Sequence, residues 1–130
     1  MISKDKELLI KDLCCRLPYR VICKDTNINV IGTLSQIGLH YNMCSLDKDD
    51  GDSEYCHIFN CKPYLFPLSS MTEEQKIIYG DFCYAIIHSL AWDMQTELND
   101  LIDWFNKNHL DYRGLIEKGL AIDATNLNIY

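Results

Sequence analysis

The chain has 130 residues, of which 48% are hydrophobic and 24% charged, and its formal net charge is −7 at neutral pH. These values are ordinary for one soluble globular domain, and an acidic body argues against broad binding to a phosphate backbone. Asp81 and His88 interrupt the most apolar stretch, so no membrane-spanning segment is expected. The charged N-terminus lacks the apolar segment of a signal peptide, so we expect a cytoplasmic protein.

The charge is unevenly distributed along the chain. Residues 1–24 carry six basic and three acidic side chains, a net charge of +3, whereas residues 25–130 carry six basic and sixteen acidic ones, a net charge of −10. A charge run of this kind usually forms the solvated face of a helix. The alternative is a weak, local contact with nucleic acid, which the acidic remainder would oppose.

The first half of the chain predicts one helix followed by short strands. Residues 4–16 have helical periodicity, with Ser3 as the N-cap and Pro18 just after the end. Asp50-Gly51 is a strong hairpin signal between two later strands. A strongly bent antiparallel sheet or a small SH3-like barrel would accommodate four short strands at this spacing. The predicted strands are 19–24, 28–34, 39–46 and 54–59.

Residues 62–92 are expected to form the core. An extended arm, 62–68, leads to a capping box formed by Thr72 and Gln75, and a long apolar run follows. A run with so few polar residues leaves little room for a solvated face. Gly80 could end the helix, with 82–87 becoming a buried strand, or the helix could continue to about residue 87. The apolar members of the run are Ile77, Ile78, Tyr79, Phe82, Cys83, Tyr84, Ala85, Ile86, Ile87, Leu90, Ala91 and Trp92.

The clearest amphipathic helix is predicted at 96–108. Its apolar stripe consists of Leu98, Leu101, Ile102 and Phe105, and its predicted solvent-facing side consists of Glu97, Asn99, Asp100, Asp103 and Asn106. Residues 111–118 predict one or two further turns, closed by Gly119.

Taken together, the elements predict a single α+β domain, 1–130. It would comprise an N-terminal helix, a small antiparallel sheet or SH3-like barrel, and C-terminal helices packed on it. Residues 1–61 would hold the first helix and the β-rich part, and 62–130 would be mainly helical.

The sequence contains seven cysteines in an arrangement that predicts reduced, metal-free thiols packed as small hydrophobic side chains. Their number is odd, and no Cys-x-x-Cys motif is present. Cys56, His57 and Cys61 lie close together, but on a strand Cys56 would point away from the other two. We therefore expect no zinc site and no cofactor. The cysteines are Cys14, Cys15, Cys23, Cys44, Cys56, Cys61 and Cys83.

No motif with a known catalytic mechanism is found, and we expect no catalytic residues. The acidic turn at 47–52 does not match the ligand spacing of a calcium loop. Cys83 and His88 are five residues apart, which does not place them on one helix face. Phosphate-binding loops, dinucleotide fingerprints and nucleophile elbows are missing from the sequence.

Four residues are candidates for binding another protein: Tyr64, Phe66, Tyr112 and Arg113. Aromatic and arginine side chains dominate the energetics of protein interfaces. The alternative, which the pattern favours, is that they pack the arm and the late loop onto the core.

Three stretches have a distinctive wording: KPYLFPLSSMTEEQ at 62–75, DWFNKNH at 103–109 and DYRGLIEKGLA at 111–121. They resemble a family of short, uncharacterised proteins encoded by Bacteroides genomes, prophages and phages. No reaction is assigned to this family, so the resemblance implies no catalytic residue. The leading functional hypothesis is a non-enzymatic, phage- or prophage-associated module that binds a protein partner. The alternative is a nucleic-acid-associated accessory factor acting through 1–24, and the third is an enzyme of unrecognised type.

Overall fold

The computed structural model describes residues 3–88 and 91–130. These residues form an α+β fold, as predicted, in which α-helices accompany one mixed sheet. In chain order the elements are α1 (Lys4–Arg16), β1 (Ile22–Asp25), β2 (Val30–Gly38), β3 (Met43–Asp47), β4 (Ser53–His57), β5 (Cys61–Leu65), α2 (Glu73–His88), α3 (Ala91–Lys107) and β6 (Ile122–Asp123).

Helix α1 matches its prediction at both ends. The Ser3 hydroxyl accepts a hydrogen bond from the Lys6 backbone N–H at 3.3 Å, which is the expected N-cap. The helix ends at Arg16, and a 3-10 turn containing Pro18 follows. Its buried face, which includes Leu9 and Leu13, belongs to the main core cluster together with side chains of the sheet.

The sheet has the strand order β4-β3-β2-β1-β5-β6. The first five strands pair antiparallel, whereas β6 pairs parallel to β5. Only a three-residue 3-10 turn, Ile58–Asn60, connects β4 to β5. Because β3, β2 and β1 lie between them in the sheet, this short connection requires the sheet to bend strongly. The structure therefore has the bent-sheet form of the prediction, left open, with the unpredicted strand β6 added at one edge.

Strand β5 is the extended arm that the prolines predict, and it lies deep in the fold. It pairs with β1 on one side and β6 on the other. Cys61 and Leu65 are fully buried. Beyond the strand, Phe66 donates from its backbone N–H to the His109 carbonyl and accepts from the Asp111 N–H, both at 2.8 Å. The arm thus joins the sheet to the segment that follows α3.

Helix α2 begins as predicted but does not form the core. Thr72 and Gln75 make both hydrogen bonds of a capping box, at 3.0 and 3.1 Å. The helix continues through Gly80 to His88, so the strand alternative for 82–87 is wrong. None of its residues is buried, so the prediction that this apolar run forms the core is also wrong. Leu90 and the side chains of Ala91 and Trp92, which belong to the same predicted run, lie outside the described part of the structure.

The reason for this exposure is that α2 packs on α3 through one side only. The rings of Tyr79 and Phe105 lie 5.8 Å apart, and those of Phe82 and Trp104 lie 5.9 Å apart. These aromatic contacts leave the opposite side of α2 without cover from the described residues. Among the described residues, none of the helices is long and apolar enough to span a membrane.

Helix α3 is amphipathic as predicted, with two differences. Phe105 is buried, but Leu98 and Ile102 remain about 40% exposed. Asn106, predicted to face solvent, is buried because its side-chain oxygen accepts the hydroxyl hydrogen of Tyr112 at 3.0 Å. Residues 111–118 form turns, and the Asp111 carboxylate accepts the backbone N–H groups of Leu115 and Ile116.

Candidate functional site

The arm residues Tyr64 and Phe66, two of the four predicted binding residues, make internal contacts. Tyr64 is only 5% exposed, and its carbonyl accepts the hydroxyl hydrogen of Tyr130 at 2.7 Å. Phe66 is half-buried, with its ring 5.9 Å from that of Tyr130. The same Tyr130 hydroxyl accepts the N–H of Ile22 at 2.9 Å. These contacts favour the packing interpretation of both arm residues.

The other two predicted residues, Tyr112 and Arg113, are neighbours in a buried polar cluster. The Tyr112 ring stacks on Phe105 at 5.1 Å, and the Arg113 guanidinium lies over the Tyr112 ring at 4.7 Å. Arg113 Nη1 also donates to Asp12 Oδ1 at 3.1 Å. The four predicted residues therefore fall into two groups, one around Tyr130 and one around Asp12, and Phe66, Tyr112 and Arg113 remain partly exposed.

Asp12 and Arg16 form the centre of that polar cluster, which sequence reasoning missed. Both side chains are fully buried, and they form an ion pair of 2.8 Å. Arg16 Nη2 donates to the Leu110 carbonyl at 2.7 Å. Removing one partner of a buried ion pair strongly destabilises a fold, because the other charge is left buried and unpaired. The cluster therefore holds α1 against the segment after α3. The spacing of four residues between Asp12 and Arg16 was the one available signal.

His109 lies beside this cluster. Its ring stacks on that of Tyr130 at 3.8 Å. Burial and the positive charge of Arg16 lower the pKa of His109 to about 4, so the imidazole is neutral at pH 7. Among the described residues, neither His109 Nδ1 nor Arg16 Nη1 has a hydrogen-bond partner. A neutral imidazole beside a guanidinium avoids the repulsion that a charged one would meet.

The core also gathers cysteines that the sequence did not associate. The Sγ atoms of Cys44, Cys56 and Cys61 all lie within 4.8 Å of one another. The expectation that Cys56 points away from Cys61 is wrong, because the 3-10 turn between β4 and β5 breaks the strand alternation. His57, in contrast, is exposed, and its Nδ1 accepts the N–H of Phe59.

The thiols of this cluster are held in their protonated form. The hydrogen bond with Cys56 lowers the pKa of Cys44, but the hydrogen bond with Cys61 and burial raise it to about 12. A hydrogen bond with Cys44 raises the pKa of Cys56, and one with Cys23 raises that of Cys61. At neutral pH a bare cluster would therefore carry no thiolate.

The largest exposed apolar side chains of α2 form a stripe, which we call the α2 surface: Ile77, Tyr84 and Ile87. Their exposed fractions are 66%, 67% and 75%. The spacing of seven and three residues places all three on one side of the helix. Several large apolar side chains exposed on one side of a helix are typical of a binding surface.

A groove of about 270 Å³ lies beside the α2 surface. Ile78, Phe82 and Ala85 provide its apolar lining, and Asp81 and Glu97 contribute carboxylates. Residues 73–107 carry seven acidic and two basic side chains, a formal net charge of −5. The α2 surface and its groove are therefore apolar and lie in an acidic part of the molecule.

Comparison with protein-family models, curated proteins and solved structures finds no match to this chain. The function of the chain is therefore inferred from the geometry, burial and charge of its own residues.

Proposed function

We propose that this chain is a non-enzymatic protein-interaction module, working in the cytoplasm as a phage- or prophage-associated factor. The observation that carries the proposal is the exposure of Ile77, Tyr84 and Ile87 on one side of α2. The phage association rests on the resemblance at 62–75, 103–109 and 111–121 alone.

The exposure of α2 is unfavourable for an isolated chain. Covering a large apolar side chain contributes about 1.5 to 3 kcal/mol relative to leaving it in water. A helix that is apolar on most sides is normally buried on most sides. The bonds of the capping box and the packing on α3 hold α2 in place while its outer side stays uncovered, which is the arrangement a partner-binding helix requires.

The partner we propose is a basic amphipathic helix of another protein. Such a helix would lay its apolar side on the α2 surface and insert one large side chain into the neighbouring groove. Lysine or arginine residues beside that side chain would meet Asp81 and Glu97. A second copy of this chain fits less well, because two surfaces from regions of charge −5 would repel each other.

A synthetic peptide tests this proposal directly. The probe is an 18-residue helix of leucine and lysine arranged as one apolar and one basic side, and its control is the same composition in scrambled order. We expect micromolar binding by fluorescence anisotropy for the amphipathic peptide and at least tenfold weaker binding for the scrambled one. Amide chemical-shift changes should concentrate in residues 73–107.

A matched pair of variants distinguishes binding at the α2 surface from non-specific hydrophobic binding elsewhere on the protein. Ile77→Ser/Ile87→Ser should reduce the affinity at least tenfold. Ile28→Ser/Ile31→Ser removes two isoleucines that are 49% and 45% exposed in the β-rich part, and it should leave the affinity unchanged. Equal binding by both double variants would refute the proposal. Tight binding of duplex DNA that depends on Lys4, Lys6 and Lys11 would instead favour the nucleic-acid alternative.

A further inference from the structure

Four of the seven cysteines meet in the core, although they come from four different strands. The Sγ atoms of Cys44, Cys56 and Cys61 lie within 4.8 Å of one another, and Cys23 is close enough to raise the pKa of the Cys61 thiol. All four residues are 3% exposed or less. The fold thus concentrates the most thiophilic side chains of the chain at one place that solvent does not reach.

The backbone fixes the positions from which these thiols project. Cys44 and Cys56 are directly opposite each other in the pairing of β3 with β4. Cys61 is directly opposite Asp25 in the pairing of β5 with β1. Because hydrogen bonds set both registers, the thiols are brought together by the strands themselves and not by flexible loops.

The spacing of the thiols suits a small, soft metal ion. Zinc–sulfur bonds are about 2.3 Å long, so sulfurs around a tetrahedral zinc lie about 3.8 Å apart. Sulfur atoms already within 4.8 Å of one another reach that separation through small side-chain rotations. Thiolates also select zinc over the hard cations that carboxylates prefer.

We infer that this cluster binds one Zn²⁺ ion through Cys44, Cys56 and Cys61, and that Cys23, the other buried cysteine, completes the site by rotating its side chain toward the metal. Each ligating thiol loses its proton to the solvent, so binding releases one proton per cysteine and involves no oxidation or reduction.

The competing explanation is that the thiols are only small core side chains. Cys44 Sγ donates to the Cys56 carbonyl at 3.4 Å, and Cys56 Sγ donates to the His57 carbonyl at 3.3 Å, so both are satisfied without a metal. Metal-free thiols were also the expectation from sequence. That expectation rested on the missing Cys-x-x-Cys spacing, whereas the bent sheet supplies the required proximity from residues 12 and 5 positions apart in the chain.

The test uses the full chain, purified with a phosphine reductant and a chelator and then transferred to chelator-free buffer. Titration with Zn²⁺ should give one bound ion per chain by native mass spectrometry, and the thermal midpoint should rise with free zinc because the metal binds only the folded form. Co²⁺ as a second probe should give the strong near-ultraviolet thiolate absorption and intense visible bands of a tetrahedral sulfur site.

Two variants identify the ligands. Cys14→Ser/Cys15→Ser/Cys83→Ser removes the three cysteines outside the cluster and should retain one zinc and the full cobalt spectrum. Cys61→Ser should lose the metal and most of the thiolate absorption. If Cys61→Ser does not fold, the stoichiometry of the triple variant alone decides the matter.

Three results would overturn the inference. One is a zinc content below about 0.1 ion per wild-type chain at micromolar free zinc, because a single occupied site would give about one ion per chain. Another is loss of the metal in the triple variant. The third is a disulfide between Cys44 and Cys56 that added diamide, a two-electron thiol oxidant, forms in zinc-loaded protein as fast as in metal-free protein, detected as the mass loss of two hydrogen atoms.

Discussion

Strand β5 and helix α2 are neighbours in the chain and similar in apolar content, yet the fold treats them in opposite ways. Cys61, Tyr64 and Leu65 in the strand are buried, whereas no residue of α2 is. The strand is paired on both sides, by β1 and by β6. The helix is packed on α3 and leaves its other side open. Apolar composition therefore indicates that a segment needs cover, but not whether this chain provides it.

The largest effect that would test this comparison comes from matched truncations in the two elements. Leu65→Ala should lower the free energy of unfolding by about 2 to 5 kcal/mol, because Leu65 is fully buried and its removal leaves a cavity. Ile87→Ala should change it by no more than about 0.5 kcal/mol, because Ile87 is 75% exposed. Urea titrations of both variants measure the difference. Equal losses would mean that α2 is covered in solution.

Within the arm, a second pair of variants sharpens the boundary of the buried region. Tyr64→Ala should cost about 3 kcal/mol, near the lower end of the range for buried aromatic side chains, and Phe66→Ala should cost about 1 to 2 kcal/mol because its ring is only half-buried. Thermal melts of the two variants provide the comparison. If Phe66→Ala were the more destabilising, the arm would remain structurally critical beyond the end of β5.

The parts of the fold that could be predicted from sequence depend on local signals. Ser3 and the Thr72–Gln75 pair cap their helices within three residues, and Asp50-Gly51 turns the chain between adjacent strands. Each of these signals acts through backbone geometry close to the residue that carries it. The α+β class, helix α1, the start of α2 and the hairpin around Asp50-Gly51 were accordingly predicted correctly.

The features that could not be predicted depend on contacts across the whole chain. Arg16 donates to Leu110, 94 residues away, and Tyr130 donates to Tyr64, 66 residues away. The thiol cluster requires the bent sheet, and no spacing pattern in the sequence encodes that bend. For the same reason, sequence could not tell that the apolar side of α2 stays outside the core.

A pH effect of intermediate size should arise near the arm, where the His109 carbonyl holds the N–H of Phe66. The folded-state pKa of His109 is about 4, below the ordinary value of about 6.5 in an unfolded chain. The unfolded state therefore binds more protons between these values, so stability is fully present above pH 6.5 and falls as the pH drops toward 4. We expect a loss of about 2 kcal/mol across this window, after discounting for partial exposure of the ring.

Urea titrations at pH 7 and pH 4.5 measure the effect of His109. The control is His109→Asn, which removes the titrating group and should flatten the dependence in this window. A slope that is unchanged in His109→Asn would assign the effect to other groups.

The smallest predicted effect concerns two glycines and has opposite signs in the two regions. A Cβ added at Gly80, on the exposed helix α2, would meet no atom within 4 Å, and the residue has helical geometry. Gly80→Ala should therefore stabilise the protein by about 0.5 to 1 kcal/mol, because alanine loses less backbone entropy on folding. A Cβ at Gly32, in the sheet, would lie 2.8 Å from the Asp47 carbonyl oxygen, so Gly32→Ala should be destabilising.

Amide hydrogen exchange distinguishes where the Gly80→Ala gain acts. If α2 is held mainly by its own helical structure and by α3, protection should increase in residues 73–88 and stay constant in the sheet. Gly32→Ala should instead reduce protection throughout β1, β2 and β3, whose pairing the added methyl disturbs. If Gly80→Ala increased protection equally in the helix and the sheet, α2 would unfold only together with the core. The two regions would then differ in solvent exposure but not in stability.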